Sequence, residues 1–177
     1  VLVRGGFRAR VFLAVTLVAV LLCDNVAGYG IKKLVGRLRP HESESGVRQV
    51  SLAYPPEHGI FEPVQEVISG VPGNPVDSSP GRSFPSNHAA NTACVALLAA
   101  LFFRRWGWLA FFPALLVGYS RIYTGSHWPS DVLGGIALGL GMAMLTLLLM
   151  ESFWRRFGPR LPPALAARHP SLLSTVA

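Results

Sequence analysis

Residues 120–131 read Ser-Arg-Ile-Tyr-Thr-Gly-Ser-His-Trp-Pro-Ser-Asp, which sets His127 six residues after a guanidinium and four before a carboxylate. An imidazole in that company is a candidate nucleophile. Pro129 suits the first position of a helix, a placement that returns Asp131 toward His127. There its carboxylate can accept the Nδ1 proton and leave Nε2 free to attack. A polar turn with a satisfied histidine would explain His127 alone. It does not explain why Arg121 and Asp131 accompany it beside an apolar helix.

Two further segments offer partners. In Phe84-Pro85-Ser86-Asn87-His88-Ala89, Ser86 or Asn87 can cap a helix whose first-turn N–H groups would bind an anion. His88, taken alone, reads equally well as a capping or interfacial residue. Lys32 and Arg39-Pro40 stand seven residues apart, two helical turns, so both cations are expected on one face at a helix end. By themselves they read as basic side chains snorkelling to an interface.

The elements that would carry these residues are apolar. The chain of 177 residues is 51% hydrophobic and 14% charged, with positive mean hydropathy, a membrane-protein composition. Residues 11–31, 89–103, 106–119 and 132–150 are the candidate spanning helices, some needing less apolar turns to reach the roughly 20 residues a bilayer requires. Gly135 and Gly139 share a face and permit close helix contact, and Pro113 is expected to kink the third helix. The first apolar run lacks a small-residue cleavage pattern and reads as a retained helix. Cys23 and Cys94 lie within apolar runs and read as small packing residues, not a disulfide.

Between these helices, residues 40–84 are rich in Pro, Gly and Ser, with a short amphipathic helix expected around Val64, Val67 and Ile68. A loop of that length is either a solvated connector or a lid over a site. The whole chain, 1–177, reads as a single membrane-embedded domain with residues 41–84 outside the bilayer. The net charge of +7 comes without a nucleic-acid-binding signature, so anionic lipid is the expected partner. If the first helix starts in the cytoplasm, Arg104, Arg105, Arg155, Arg156 and Arg160 share that side, as the positive-inside rule requires. Lys32, Lys33, Arg37, Arg39 and Arg121 then fall on the other side against the rule, with the motif segments, which implies a reason beyond topology. His41, His58 and His169 have no partner pattern and are expected at the surface. Asp24, beside Asn25 within the first helix, is expected to face a partner helix or the floor of the site.

Together the three segments resemble the signature of the type 2 phosphatidic acid phosphatase superfamily, KxxxxxxRP, PSxH and SRxxxxxHxxxD. Lys32, Arg39 and Pro40 match the first, Pro85, Ser86 and His88 the second, and Ser120, Arg121, His127 and Asp131 the third. Asn87 stands where glycine is usual. The resemblance implies an all-α, polytopic membrane bundle, of which four helices are visible. Members commonly have six, so two helices are expected before Val1, and the missing initiator methionine favours that reading.

It further implies metal-independent, cofactor-free phosphatase chemistry. His127 would be the nucleophile, Asp131 would orient it, and His88 would protonate the leaving lipid oxygen. Lys32, Arg39, Ser86, Asn87 and Arg121 would hold the phosphate. The substrate would be a lipid monophosphate or pyrophosphate: undecaprenyl pyrophosphate, phosphatidylglycerol phosphate, phosphatidic acid or lipid A. The setting expected is a bacterial inner membrane with the site facing the periplasm or exterior. Vanadium haloperoxidases share a similar signature but are soluble. A lipid phosphotransferase or a non-catalytic lipid-phosphate binder are the remaining alternatives.

Overall fold

The computed structural model describes residues 6–44, 47, 50–53, 66–69, 82–160 and 163–173. Helix α1 (Phe7–Asp24) runs on through a π-helical stretch, Asn25–Ile31, into a last turn, α2 (Lys32–Val35). Gly36 ends it in the left-handed region (φ 60°), where a residue without Cβ avoids strain, and its N–H returns to the Lys32 carbonyl. Two residues of the expected Lys32–Arg39 helix face are therefore correct in composition but not in geometry: the helix has stopped before Arg37, and a turn carries Arg39 round. Arg39 then precedes α3 (Pro40–Ser43), its backbone N–H donating to Glu42 Oε2 at 2.8 Å while Pro40 takes the first helical position.

Strands β1 (Val50–Ala53) and β2 (Glu66–Ser69) pair antiparallel, Val50 opposite Ser69 and Ala53 opposite Glu66. The amphipathic helix expected here is thus replaced by a strand at Val67 and Ile68, whose β-branched side chains favour extended backbone; Val64 lies outside the described residues.

The remaining helices form the bundle. They are α4 (Asn87–Gly107), α5 (Phe111–Tyr123), α6 (Pro129–Phe157) and the short α7 (Pro163–Arg168). α4 and α5 pack on each other, the chain reversing at Arg104, which has non-helical backbone angles (φ 41°, ψ −102°). Pro113 falls in the first turn of α5, where no carbonyl bond is lost, so it does not kink the helix interior as expected. α4 meets α6 most extensively because Gly135 and Gly139 let the backbones touch: a Cβ on either would overlap the carbonyl of Ser86 or Ala90. Val15, Ala19, Cys94, Leu98, Phe102, Ala143 and Leu147 form the core where α1, α4 and α6 meet, and both cysteines are buried and unpaired.

Among the described residues, three helical stretches are long and apolar enough to cross a membrane, Phe7–Ser43, Asn87–Tyr123 and Pro129–Arg160, the second comprising both α4 and α5. Large apolar side chains such as Leu17, Phe112, Leu115, Leu133, Leu148 and Phe153 point outward. A bundle face of that kind suits lipid rather than water. His169, expected as a surface residue, is partly buried and stacks on Phe7 at 4.0 Å, while its carbonyl accepts from Trp154 Nε1. His58 lies outside the described residues.

Candidate active site

Asp131 is fully buried at the start of α6. Pro129 occupies the first helical position and Trp128 the cap, so the Asp131 carboxylate turns back to accept the Trp128 backbone N–H at 2.9 Å. Arg37 Nη1 donates to its other oxygen at 2.9 Å and to Ser130 Oγ at 2.7 Å, and the Ser83 hydroxyl also donates to the carboxylate. The Arg37 guanidinium lies over the Trp128 ring, whose Nε1–H donates to the Leu38 carbonyl at 3.0 Å. Three donors from separate parts of the chain compensate one buried charge.

That engagement corrects the expected His127–Asp131 hydrogen bond. His127 Nδ1 stands 3.8 Å from Asp131 Oδ2, beyond hydrogen-bonding reach, and has no hydrogen-bond partner among the described residues. The capping geometry explains the difference, because the carboxylate is aimed at its own helix end. The His127 loop is instead fixed through backbone, with the N–H groups of Ser126 and His127 both donating to the Arg121 carbonyl at 3.1 Å. Burial first, then the positive charges of Arg39 and Lys32, push the His127 imidazole down to about 4, against the opposing pull of Asp131 and the Ser83 backbone. His127 is therefore neutral near pH 7. It makes no ion pair there, and its lone pair is available for attack.

Ser86 caps α4, its hydroxyl accepting from the Ala89 N–H, and its own N–H donates to the Asp131 carbonyl at 3.0 Å. The cap thus ties the second motif to the third. His88, the second residue of α4, is exposed, and Arg121, Lys32, Asp24 and Arg39 are the charges that act on it. Arg39, Arg82, Asp24 and Asp131 act on Lys32. Lys32, Arg39, Arg121, Ser86, His88, His127 and Asp131 accordingly gather at one end of the bundle. The Asn87 side chain is engaged by the first helix: its amide nitrogen donates to Asp24.

Sequence reasoning missed Arg37, Ser83 and Trp128 as the residues that hold Asp131, and it misplaced His41. That ring is buried, and its Nδ1–H donates to the Gly125 carbonyl at 3.0 Å, bracing the turn that presents His127. The one available signal was adjacency, since Arg37 and Ser83 each stand within three residues of a motif position. Among the described residues, no group of three or more His, Cys, Asp or Glu side chains is placed to hold a metal ion.

The chain is similar over part of its length to several curated phosphatases. The chain is 41% identical over 66 residues to an undecaprenyl-diphosphatase of Sulfolobus acidocaldarius, covering 37% of this chain and 32% of that protein. It is 28% identical over 134 residues to a lipid A 4′-phosphatase of Bacteroides thetaiotaomicron, covering 74% and 50%. A phosphatidylglycerophosphatase B of Bacillus subtilis is 42% identical over 84 residues, covering 40% and 38%. The chain therefore spans about a third to a half of the length of these curated relatives. No solved structure matches it. The PAP2 superfamily profile matches residues 10–155, from the first turns of α1 to the last of α6, and so takes in every motif gathered around His127; the chain belongs to the PAP2 superfamily.

Proposed function

We propose that this chain is the catalytic bundle of a membrane lipid phosphatase working through a phosphohistidine. The observation that carries the reading is a buried, neutral His127 under the positive charges of Lys32 and Arg39, a nucleophile kept unprotonated by the same cations that attract a phosphate.

Lys32, Arg39 and Arg121, with Ser86 and the free N–H groups of the first turn of α4, hold the phosphate oxygens and stabilise the transferring group. His127 Nε2 attacks phosphorus in line. The N–P bond forms as the bond to the lipid oxygen, or to the leaving phosphate of a pyrophosphate, breaks, and His88 gives that oxygen its proton. In the second step water gives a proton to His88, attacks phosphorus, breaks the N–P bond and releases phosphate with both histidines restored. Asp131 holds its loop and lies 3.8 Å from the ring, where its charge favours the cation that His127 becomes on phosphorylation. The protein supplies all the positive charge this route uses.

Lipid is the substrate class favoured by the surroundings. A cavity of about 310 Å³ lies between α1, α4 and α5, lined by Asn91 and Thr92 at one end and by Val95, Ala96, Pro113 and Val117 beyond, large enough to seat the first part of a hydrocarbon chain. In this reading α1, α4, α5 and α6 each span the bilayer, with the site on the outer face and residues 41–84 outside the membrane. The names of the relatives direct the substrate choice to undecaprenyl pyrophosphate, lipid A and phosphatidylglycerol phosphate.

The test is phosphate release by detergent-purified protein from each of these lipids and from phosphatidic acid. Wild type is expected to hydrolyse at least one, and His127→Ala to lose about 10³-fold or more in kcat, by analogy with loss of other covalent nucleophiles. Full activity in His127→Ala sinks the reading.

A further inference from the structure

Asp24 is the one acidic residue between Phe7 and Lys32, set in the longest apolar stretch of the first helix. A carboxylate there is costly unless it is paired or put to use. Its Oδ1 accepts from Asn91 Nδ2 at 2.9 Å and from Asn87 Nδ2 at 3.3 Å. The two asparagines stand one turn apart on α4 and flank His88 in sequence. Asn87 is also the residue that replaces the usual glycine of the second motif.

Asn91 and Thr92 are the polar residues lining the apolar cavity, and the Thr92 hydroxyl donates to the His88 carbonyl at 2.8 Å. Asp24 is thus held against the first turns of α4 by residues on either side of His88. Of the charges acting on His88, Arg121, Lys32 and Arg39 are positive and Asp24 alone is negative. The cations that favour phosphate binding also disfavour an imidazolium, and a general acid must begin as one.

We propose that Asp24 is a positioning residue, clamped by Asn87 and Asn91 beneath His88, that offsets the surrounding cations and keeps His88 supplied with the proton it gives to the leaving lipid oxygen. This rests on the reading of His88 as general acid. The step itself is unchanged: the P–O bond breaks, the proton passes from His88 to the lipid oxygen, and Asp24 neither gains nor loses one.

Asp24→Asn keeps the shape and removes the charge. Two substrates separate its effects: dodecyl phosphate, whose alkoxide needs a proton to leave, and 4-nitrophenyl phosphate, whose phenolate does not. In kcat/KM, Asp24→Asn is expected to lose about tenfold on dodecyl phosphate and less than about twofold on 4-nitrophenyl phosphate. The alkaline limb with dodecyl phosphate should move about one pH unit lower, because an imidazolium without its anion gives up its proton earlier. Asn91→Ala, which loosens the clamp and leaves the charge, should show the same selectivity at about threefold. It also decides the matter if Asp24→Asn yields no folded protein. Equal losses on both substrates, or an unmoved alkaline limb, overturn the inference. His88→Ala serves as the control on the underlying reading: if it hydrolyses dodecyl phosphate at the wild-type rate, the general-acid role itself fails. If His88→Ala is selective and the Asp24 and Asn91 variants are not, only the role of Asp24 falls.

Discussion

The two ends of the bundle are both rich in arginine and use it in opposite ways. At the end carrying Arg105, Arg155, Arg156 and Arg160, each contact is to a near neighbour. Arg105 lies over Trp106, Arg155 pairs with Glu151 four residues earlier, and Arg156 and Arg160 lie over Phe157. At the other end, Arg37 reaches Asp131 and Ser130 across more than 90 residues, and Arg39 and Lys32 act on a histidine from the far side of the chain. Exposed neighbouring pairs contribute well under about 1 kcal/mol. Cations brought together over a buried carboxylate and two histidines are, in the proposed reading, an anion site. The difference lies in what the backbone brings near them, not in residue type.

Breaking that contrast at its strongest point should have the largest effect. Arg39→Ala is expected to lower kcat by about 10²–10³-fold, as removal of one donor to a transition-state oxyanion does elsewhere. The same variant changes the pH profile in a defined direction. In the proposed mechanism His127 attacks as the neutral base, so activity should fall as pH drops through its value of about 4. Removing a nearby cation eases protonation, and the acid limb of kcat/KM should rise toward the ordinary histidine range near 6.5. An acid limb that stays put would show that Arg39 does not act on His127.

Next comes Arg37, whose guanidinium is engaged by the Asp131 carboxylate and Ser130. Arg37→Ala leaves Asp131 with the Ser83 and Trp128 donors, so we expect a loss of about 1–3 kcal/mol in stability and about tenfold in kcat. Thermal melts followed by circular dichroism, with phosphate-release assays, check both. A variant as stable as wild type would place the Arg37–Asp131 pair among the negligible contacts. Smallest is Arg105→Ala at the opposite end, which should change activity by less than about twofold and stability by no more than about 0.5 kcal/mol. A larger loss of activity would erase the distinction between the ends.

Much of this arrangement was legible along the chain where the cause is local. The Ser86 cap, Pro129 at the opening of α6 and the close approach at Gly135 and Gly139 follow from helix-end chemistry and side-chain size. Local reasoning failed where a neighbour altered the periodicity. Gly36 ended the helix between Lys32 and Arg39, and strand pairing with Val50–Ala53 took Val67 and Ile68 out of the expected helix. It failed again wherever the partner is distant. Nothing near His41 announces the Gly125 carbonyl, and nothing near Asp24 announces Asn91, 67 residues on.

By itself, then, the sequence determined the apolar helices, their caps and the residue types that meet around His127, because each depends on a few consecutive side chains. Tertiary structure alone decided which donors Asp131 accepts, why His127 Nδ1 has no hydrogen-bond partner among the described residues, and what faces Asp24. Those depend on the approach of α1, α4 and α6, which is fixed by backbone contact at two glycines and by a shared core far from the motifs in sequence.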